Sequence, residues 1–419
     1  MKNQIKKNFI YNTIGSVLYS FTSLFFMIIV TRVNGLDDNG IFTFAFSVAC
    51  LFWVIGVYSG RIYQVTERDK KITDSDYIYS KFITCLIMII VGLIYILLKN
   101  YDMYKFTVML LLILYKVLNA FSESVYAIMQ KREELYKVGI SLFCKSIISV
   151  IVFLIVNLMT HNLICSSISL IITELIIMLV YDWRVIKGYN FKLKKYNQKS
   201  ISNILKLGFP VFLFTILTQY LINAPKYAID NFLDDSMQSI YGIISMVATL
   251  TVLLSQLILH PFINGMNEDL KSKKTTEFNN KVKKICILIM GIGLVELVLG
   301  NFLGTWALSI IYGIDLSRYT PLLLMIIIGS ILYSVVSILS NALIAMRKNK
   351  SQSVLFLIDS ILLYFLSNYM VKTYSLKGAA YSYLIGMALL LIMFIVLYIY
   401  EYRKLSGDKN ENKHYCTSI

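Results

Sequence analysis

The sequence predicts an all-α integral membrane protein of about twelve transmembrane helices with both termini in the cytoplasm. Three observations lead there. Of its 419 residues, 57% are hydrophobic and only 15% charged, where an average soluble chain carries roughly 25% charged residues. The apolar residues gather into runs of about 20, the length that crosses a bilayer as a helix. The 40 Lys and Arg residues sit between those runs, mostly in alternate segments, which is the bias that sets membrane orientation.

In chain order the spans are expected at 9–31, 41–60, 78–98, 104–129, 138–157 and 163–183. A Lys-rich polar segment follows. The later spans are expected at 204–224, 240–263, 282–304, 321–345, 353–371 and 378–400. This layout gives an N-terminal six-helix bundle over 1–183 and a basic cytoplasmic linker over 184–203. A C-terminal six-helix bundle covers 204–400 and a cytoplasmic tail covers 401–419. The first run is too long for the apolar part of a signal peptide and no A-x-A site follows it, so it is read as the first span.

The charges test the count. With the N-terminus inside, 31 of the 40 basic residues fall in inside segments and seven in outside ones. Lys116 and Lys145 lie within or at the edge of spans. One missed or invented span would invert every later loop and destroy this bias. The net charge of +16 is spread as short clusters, which suits a face against anionic lipid and not a nucleic-acid partner. The six cysteines and three histidines are scattered without metal-ligand spacing, so no metal or cofactor is expected.

The two halves echo one another. Asn34 opens N-G-L-D-D-N-G-I-F after the first span, and Asn231 opens N-F-L-D-D-S-M-Q-S-I-Y after the seventh. Both place Leu-Asp-Asp just outside the membrane. A six-span unit repeated in tandem gives two parallel halves, a transporter architecture.

Polar residues inside spans are costly and tend to face an interior cavity. Lys116, Asn119, Glu123 and Gln130 in span 4 recur at helical spacing and share one face. They line a substrate path, or form an internal Lys–Glu pair tying span 4 to a neighbour. Span 7 and its outer end hold Gln219, Asn223, Lys226 and Asp230. Pro210 and Pro225 there bend the helix, unless Pro210 lies harmlessly in a first turn. Arg61 follows span 2 and could grip phosphate bidentately or serve as an inside anchor. Glu174 and Glu296 stand as lone acids in spans 6 and 9.

Several stretches resemble the Wzx-type polysaccharide flippases, a polysaccharide biosynthesis family of the multidrug/oligosaccharidyl-lipid/polysaccharide exporter superfamily. They are I-V-T-R-V-N-G-L-D-D-N-G-I-F-T-F-A-F from Ile29, G-R-I-Y-Q-V-T from Gly60 and F-S-E-S-V-Y-A-I-M-Q-K-R-E-E-L from Phe121. L-G-F-P-V from Leu207, N-A-P-K-Y-A-I-D-N-F-L from Asn223 and A-L-I-A-M-R-K from Ala342 complete the set. The segment from Asn223 is the most specific. The resemblance implies a MATE-like fold of two six-helix bundles facing a central cavity, in the bacterial cytoplasmic membrane. It implies a non-enzymatic flippase for undecaprenyl-diphosphate-linked oligosaccharide, working beside a polysaccharide polymerase in capsule, O-antigen or exopolysaccharide assembly. On that reading Arg61, Lys116 and Lys226 supply charge for the diphosphate. Asn119, Gln219 and Asn223 supply hydrogen bonds for the sugar, with Glu123 and Asp230 in the same cavity.

Span 1 lacks the acid that cation-coupled drug exporters of the superfamily carry, and twelve spans are fewer than the fourteen of its lipid II flippases. Two rival readings remain at this point. One is a multidrug or solute exporter, although 60–77 lacks the G-x-x-x-D-R-x-G-R-R-like loop of major facilitators. The other is a polytopic glycosyltransferase or polymerase using Asp37 and Asp38, although no large outer loop accompanies them and both acids suit a helix N-cap.

Overall fold

The computed structural model describes residues 2–58, 60–67 and 72–416. Among these, no strand occurs. Arg68, Lys70 and Lys71, counted above as inside charges, lie outside the described residues. Helices α1 (Lys2–Asn34), α2 (Leu36–Val57), α3 (Gly60–Thr66), α4 (Asp74–Lys99), α5 (Met103–Lys131) and α6 (Leu135–Thr160) come first. Helix α7 (Leu163–Ile177) runs through a π-turn, Met178–Asp182, into α8 (Trp183–Lys187). Then follow α9 (Gln198–Phe232), α10 (Asp235–Lys271), α11 (Thr275–Leu299), a second π-turn at Gly300–Gly304, α12 (Thr305–Tyr312), α13 (Thr320–Ala345) and α14 (Asn349–Cys416).

Eleven helical runs among the described residues are long and apolar enough to span a membrane, so this is a multi-pass membrane protein. The last run, Asn349–Leu405, has 57 residues. Drawn straight it would reach about 85 Å at 1.5 Å per residue, nearly three times the hydrocarbon thickness of about 30 Å. It is not straight. Ser375 sits at φ 53°, ψ −137°, outside any helical conformation, and the chain turns back there. Gly378 lies against the main chain of Met370, Gly386 against Leu363, and Phe394 against Phe356 with ring centroids 4.9 Å apart. As one index rises the other falls, so the two arms are antiparallel. The run is two crossings, and the total is the twelve read from the sequence.

The described chain falls into two compact units. Met1–Gln219 with Asp234–Ser239 forms the first, and Tyr220–Leu233 with Ile240–Ile419 the second. In the first unit, α1 and α6 meet through two glycines. A Cβ on Gly15 would stand 2.1 Å from the Gly139 carbonyl oxygen, and one on Gly139 would stand 2.2 Å from that of Tyr11. Phe26, Phe42 and Phe153 fill the adjoining core, with centroids 4.8 to 6.2 Å apart.

The two Leu-Asp-Asp turns come together in this unit. Gly40 packs on the main chain of Asp235, and Asn39 Nδ2 donates to Ser239 Oγ at 2.6 Å. Asp235 also pairs with Lys105 at 2.6 Å. Asp234 accepts from the Met237 amide at 2.8 Å, as an N-cap does. Asp37 and Asp38 lie in the first turn of α2, where Gly35 is the cap. Asp38 accepts from Tyr104 and Asn34, each at 3.0 Å. Both acids therefore sit at a helix N-terminus, which favours negative charge.

Three expectations are corrected. The segment 225–232, expected as outer loop, continues α9, so that loop shrinks to Leu233 and Asp234. Pro210 lies well inside α9, not in its first turn. It and Pro225 leave the carbonyls of Lys206 and Leu221 without helical donors. Glu174 is not lone, as shown below.

At the turn between α5 and α6, Glu134 accepts a short hydrogen bond from the Tyr189 hydroxyl and lies 2.8 Å from Lys137. Burial opposes its ionisation, but hydrogen bonds from Lys137 and Tyr189 outweigh it and hold the carboxyl below the usual carboxylate range. Burial and the same carboxylate push Tyr189 up to about 12. A carboxyl with a lowered folded-state pKa adds stability above its unfolded pKa and loses it as pH falls through the folded one. Glu134→Gln is expected to cost less than about 1 kcal/mol at neutral pH. It should also remove part of the acid-side decline below about pH 5. Melting curves in detergent across that range check this; identical pH dependence in both proteins would be the contrary result.

Candidate functional site

The site is built on α5. The helix places Lys116, Asn119, Ser122, Glu123 and Tyr126 along one stripe by its 3.6-residue repeat. With Tyr19 of α1, Cys50 and Trp53 of α2, Leu142 of α6, Glu174 of α7 and Gln219 of α9, they line a cavity of about 170 Å³ in the first unit. The expected stripe thus faces a cavity, and four sequence-predicted residues, Lys116, Asn119, Glu123 and Gln219, share its wall.

Lys116 forms no ion pair among the described residues. Its ammonium rests over Phe46, 4.4 Å from the ring centroid, and 5.4 Å from that of Tyr115. A cation held by ring faces keeps its charge available to a ligand. Asn119 Oδ1 accepts a short hydrogen bond from the Tyr19 hydroxyl, while its buried Nδ2 has no partner among the described residues.

Arg61 reaches the same stripe because α2 ends before it. Tyr58 takes a left-handed conformation, φ 43°, and closes α2. Lys81 of α4 donates to the terminal carbonyls of Gly56 at 3.1 Å and Val57 at 2.5 Å. These are carbonyls a helix end leaves without partners. The chain restarts as α3, and Arg61 bonds Glu123 at 3.1 Å and Gln130 at 3.1 Å. It is about three-quarters buried. The internal pair on α5 is therefore not Lys116 with Glu123; Glu123 belongs to Arg61.

At the cavity wall lies a charged cluster that the sequence did not reveal. Lys145 of α6 lies 2.6 Å from Glu174 and 3.0 Å from Asp182, and donates to Ser122 Oγ at 2.9 Å. Its ammonium stands 5.1 Å from the Tyr126 ring centroid. Lys145, Glu174 and Asp182 are 2%, 3% and 0% exposed. On a regular helix, residues eight apart differ by about 80° around the axis. The π-turn at Met178–Asp182 takes up one extra residue, which brings Asp182 to within about 20° of Glu174. One lysine can then serve both acids.

Asn223, Lys226 and Asp230 lie in the second unit, spaced by three and four on one face of α9. Asn223 is buried. Also in this unit, Asp359 of α14 is fully buried, and neither of its carboxylate oxygens has a hydrogen-bond partner among the described residues. An acid in mid-span was a legible signal, and sequence reasoning passed over it.

The fold is that of the MATE-type exporters. It superposes on an inward-facing MATE multidrug resistance transporter of the MOP superfamily with a TM-score of 0.72, at 11% identity over 96% of this chain and 99% of that one. It superposes on the lipid II flippase MurJ in its inward closed conformation with a TM-score of 0.73, at 16% identity over 98% of this chain and 93% of that one. In sequence the chain is 25% identical over 396 residues to the capsular polysaccharide biosynthesis protein CapF of Staphylococcus aureus, which covers 94% of this chain and 98% of that protein. This agrees with the Wzx-type resemblance found in the sequence. No protein-family model matches the chain.

Proposed function

We propose that this protein flips undecaprenyl-diphosphate-linked oligosaccharide repeat units across the bacterial cytoplasmic membrane for capsule or related polysaccharide assembly. Similarity to CapF along nearly the whole chain supports the pathway. The observation that carries the chemistry is Lys116, an ammonium without an acid partner among the described residues, in a cavity wall that also offers Asn119, Ser122 and Gln219. A diphosphate needs a cation and a sugar needs hydroxyl and amide partners. Lys116 meets the first need from the cavity wall, with Arg61 beside it if its pairing with Glu123 opens, and the amides meet the second. Asn223, Lys226 and Asp230 carry the same chemistry further along α9.

The likeness in fold to transporters and a flippase supports a carrier over an enzyme. Asp37 and Asp38 serve the start of α2, which argues against a glycosyltransferase centre there. The charge bias supports cytoplasmic termini and an even count of spans, and the Leu-Asp-Asp echo supports two halves of six; a polysaccharide polymerase is the partner this reading implies.

A deletion strain is expected to accumulate lipid-linked repeat units on the cytoplasmic leaflet. Lys116→Ala should slow their appearance outside by about tenfold, the effect of losing roughly 1.4 kcal/mol of charge-assisted binding. Both are read by enzymatic accessibility of the sugar in inverted and right-side-out vesicles. Repeat units reaching the outer face at the normal rate in the deletion strain would end this reading; normal transport by Lys116→Ala would return that residue to a structural role.

A further inference from the structure

One end of the first unit carries a row of cations and aromatic rings that the cavity does not use. It forms where the first turns of α1 meet the α5–α6 turn and the residues after α8. The turn is fastened to α1 through its backbone. Gln4 Nε2 and Asn8 Nδ2 donate to the Glu133 carbonyl at 3.2 and 2.7 Å, and the Tyr136 amide donates to Asn8 Oδ1 at 3.0 Å. On this frame the Lys7 ammonium rests on Tyr136, 3.9 Å from the ring centroid. Lys137 stands 6.0 Å from the same centroid and 5.0 Å from that of Tyr189, and Arg132 stands 5.7 Å from the Tyr189 centroid. By contact the row runs Lys7, Tyr136, Lys137, Tyr189, Arg132.

Its charges are unevenly spent. Lys137 is committed to Glu134 at 2.8 Å. Lys7 and Arg132 are exposed and form no ion pair among the described residues. A cation over a ring face keeps its charge available to a ligand. Lys6, Arg184 and Lys187, exposed at the same end, add the same sign, while the acids of the turn itself are Glu133 and Glu134. An apolar surface begins directly beside the row. Ile10 and Ile14 follow Lys7 on one face of α1 and are 39% and 50% exposed. Phe143 and Ile147 follow Tyr136 on one face of α6 and are 40% and 39% exposed. Lys7 and Tyr136 touch at the head of these two faces, so the faces are neighbours.

The chemistry of the occupant follows. Basic and aromatic groups above exposed apolar faces fit an amphiphile with an anionic head at the membrane boundary. The two cations without acid partners stand at the ends of the row, with the Lys137–Glu134 pair and both rings between them. A single phosphate reaches one of them. A diphosphate, whose phosphorus atoms share an oxygen, concentrates its charge at one point. Two phosphates held apart by a short linker reach both. We infer that this end of the first unit binds a phospholipid with two separated phosphates, of the cardiolipin type, with its phosphates on Lys7 and Arg132 and its acyl chains along α1 and α6. One bound lipid then clasps α1 to the α5–α6 turn.

The test uses the full-length protein in detergent, titrated with tetraoleoyl cardiolipin or, at equal phosphate, dioleoyl phosphatidylglycerol. Native mass spectrometry counts the bound lipid and thermal unfolding reads its effect. One retained cardiolipin and a saturable rise in melting temperature are expected, with phosphatidylglycerol needing at least about tenfold more phosphate for the same rise. Lys7→Gln with Arg132→Gln should weaken cardiolipin binding by about tenfold or more, since each near-surface cation contributes about fivefold. Lys194→Gln with Lys195→Gln, at exposed positions in the segment before α9, should bind as the natural protein does. Equal potency of the two lipids would show that net charge alone is read, and natural affinity in the Lys7 and Arg132 double variant would remove the site; either overturns the proposal. Displacement of cardiolipin by inorganic pyrophosphate would also overturn it, because the site would then read a diphosphate. Should the double variant unfold without lipid, the comparison of the two lipids on the natural protein decides. None of these readouts measures flipping.

Discussion

Lys145→Met is expected to destabilise the protein by about 3–5 kcal/mol, the range for breaking a buried ion pair from one side. The loss of attraction is the smaller part. Glu174 and Asp182 would remain at 3% and 0% exposure without their cation, and one of them lines the cavity. Each buried carboxylate left alone must take a proton or draw in water. The variant Lys145→Met with Glu174→Gln and Asp182→Asn should recover most of the loss, because a neutral cluster of similar volume no longer needs a countercharge. Thermal unfolding in detergent, followed by a thiol-reactive or intrinsic-fluorescence signal, reads both. A single variant as stable as the natural protein would show that the cluster carries no such energy, and a triple variant no better than the single would show that Lys145 acts through packing.

Gly139→Val is expected to prevent normal assembly of the first unit. The clash is of backbone on side chain: a Cβ there would stand 2.2 Å from the Tyr11 carbonyl oxygen and 2.6 Å from the Asn12 nitrogen. Neither atom belongs to a flexible side chain, so α1 and α6 must separate. Overpacking a core usually costs about 1–3 kcal/mol, and a crossing forced apart should cost at least the upper figure. Gly15→Val should behave alike, since it meets Gly139 from the other side at 2.1 Å. Gly291→Ala is the control. Nothing lies within 4 Å of its added Cβ, and alanine favours the helix by up to about 1 kcal/mol. Monodisperse yield on size exclusion separates the cases; full yield from Gly139→Val would refute the crossing.

What could be read from the sequence was what a helix or a bilayer imposes by itself. The spans follow from runs of apolar residues, and even the last hairpin was placed: Lys372 and Lys377 mark its outer end, and the chain breaks at Ser375. Lys116, Asn119 and Glu123 were legible because helical spacing alone puts them on one face. Lys145 was not, because its partners lie on another helix and nothing in the sequence joins them to it. Asp182 was harder still. Its alignment with Glu174 depends on a π-turn, and the residues Met178–Asp182 carry no local mark of one. The same limit hid the pairing of Arg61 with Glu123, which rests on the end of α2 and the tether of Lys81. The length of α9 was underestimated because proline and charge near 225–230 read as an exit from the membrane, whereas packing keeps that stretch helical.

Trp53 in the cavity wall gives the site its own optical reporter. Its indole nitrogen is buried and has no hydrogen-bond partner among the described residues, so the ring is held by packing alone and senses what enters beside it. The other two tryptophans, Trp183 and Trp306, do not line this cavity. Replacing both with phenylalanine leaves a single tryptophan, and any shift of its emission on adding a lipid diphosphate then comes from the cavity without a label being attached.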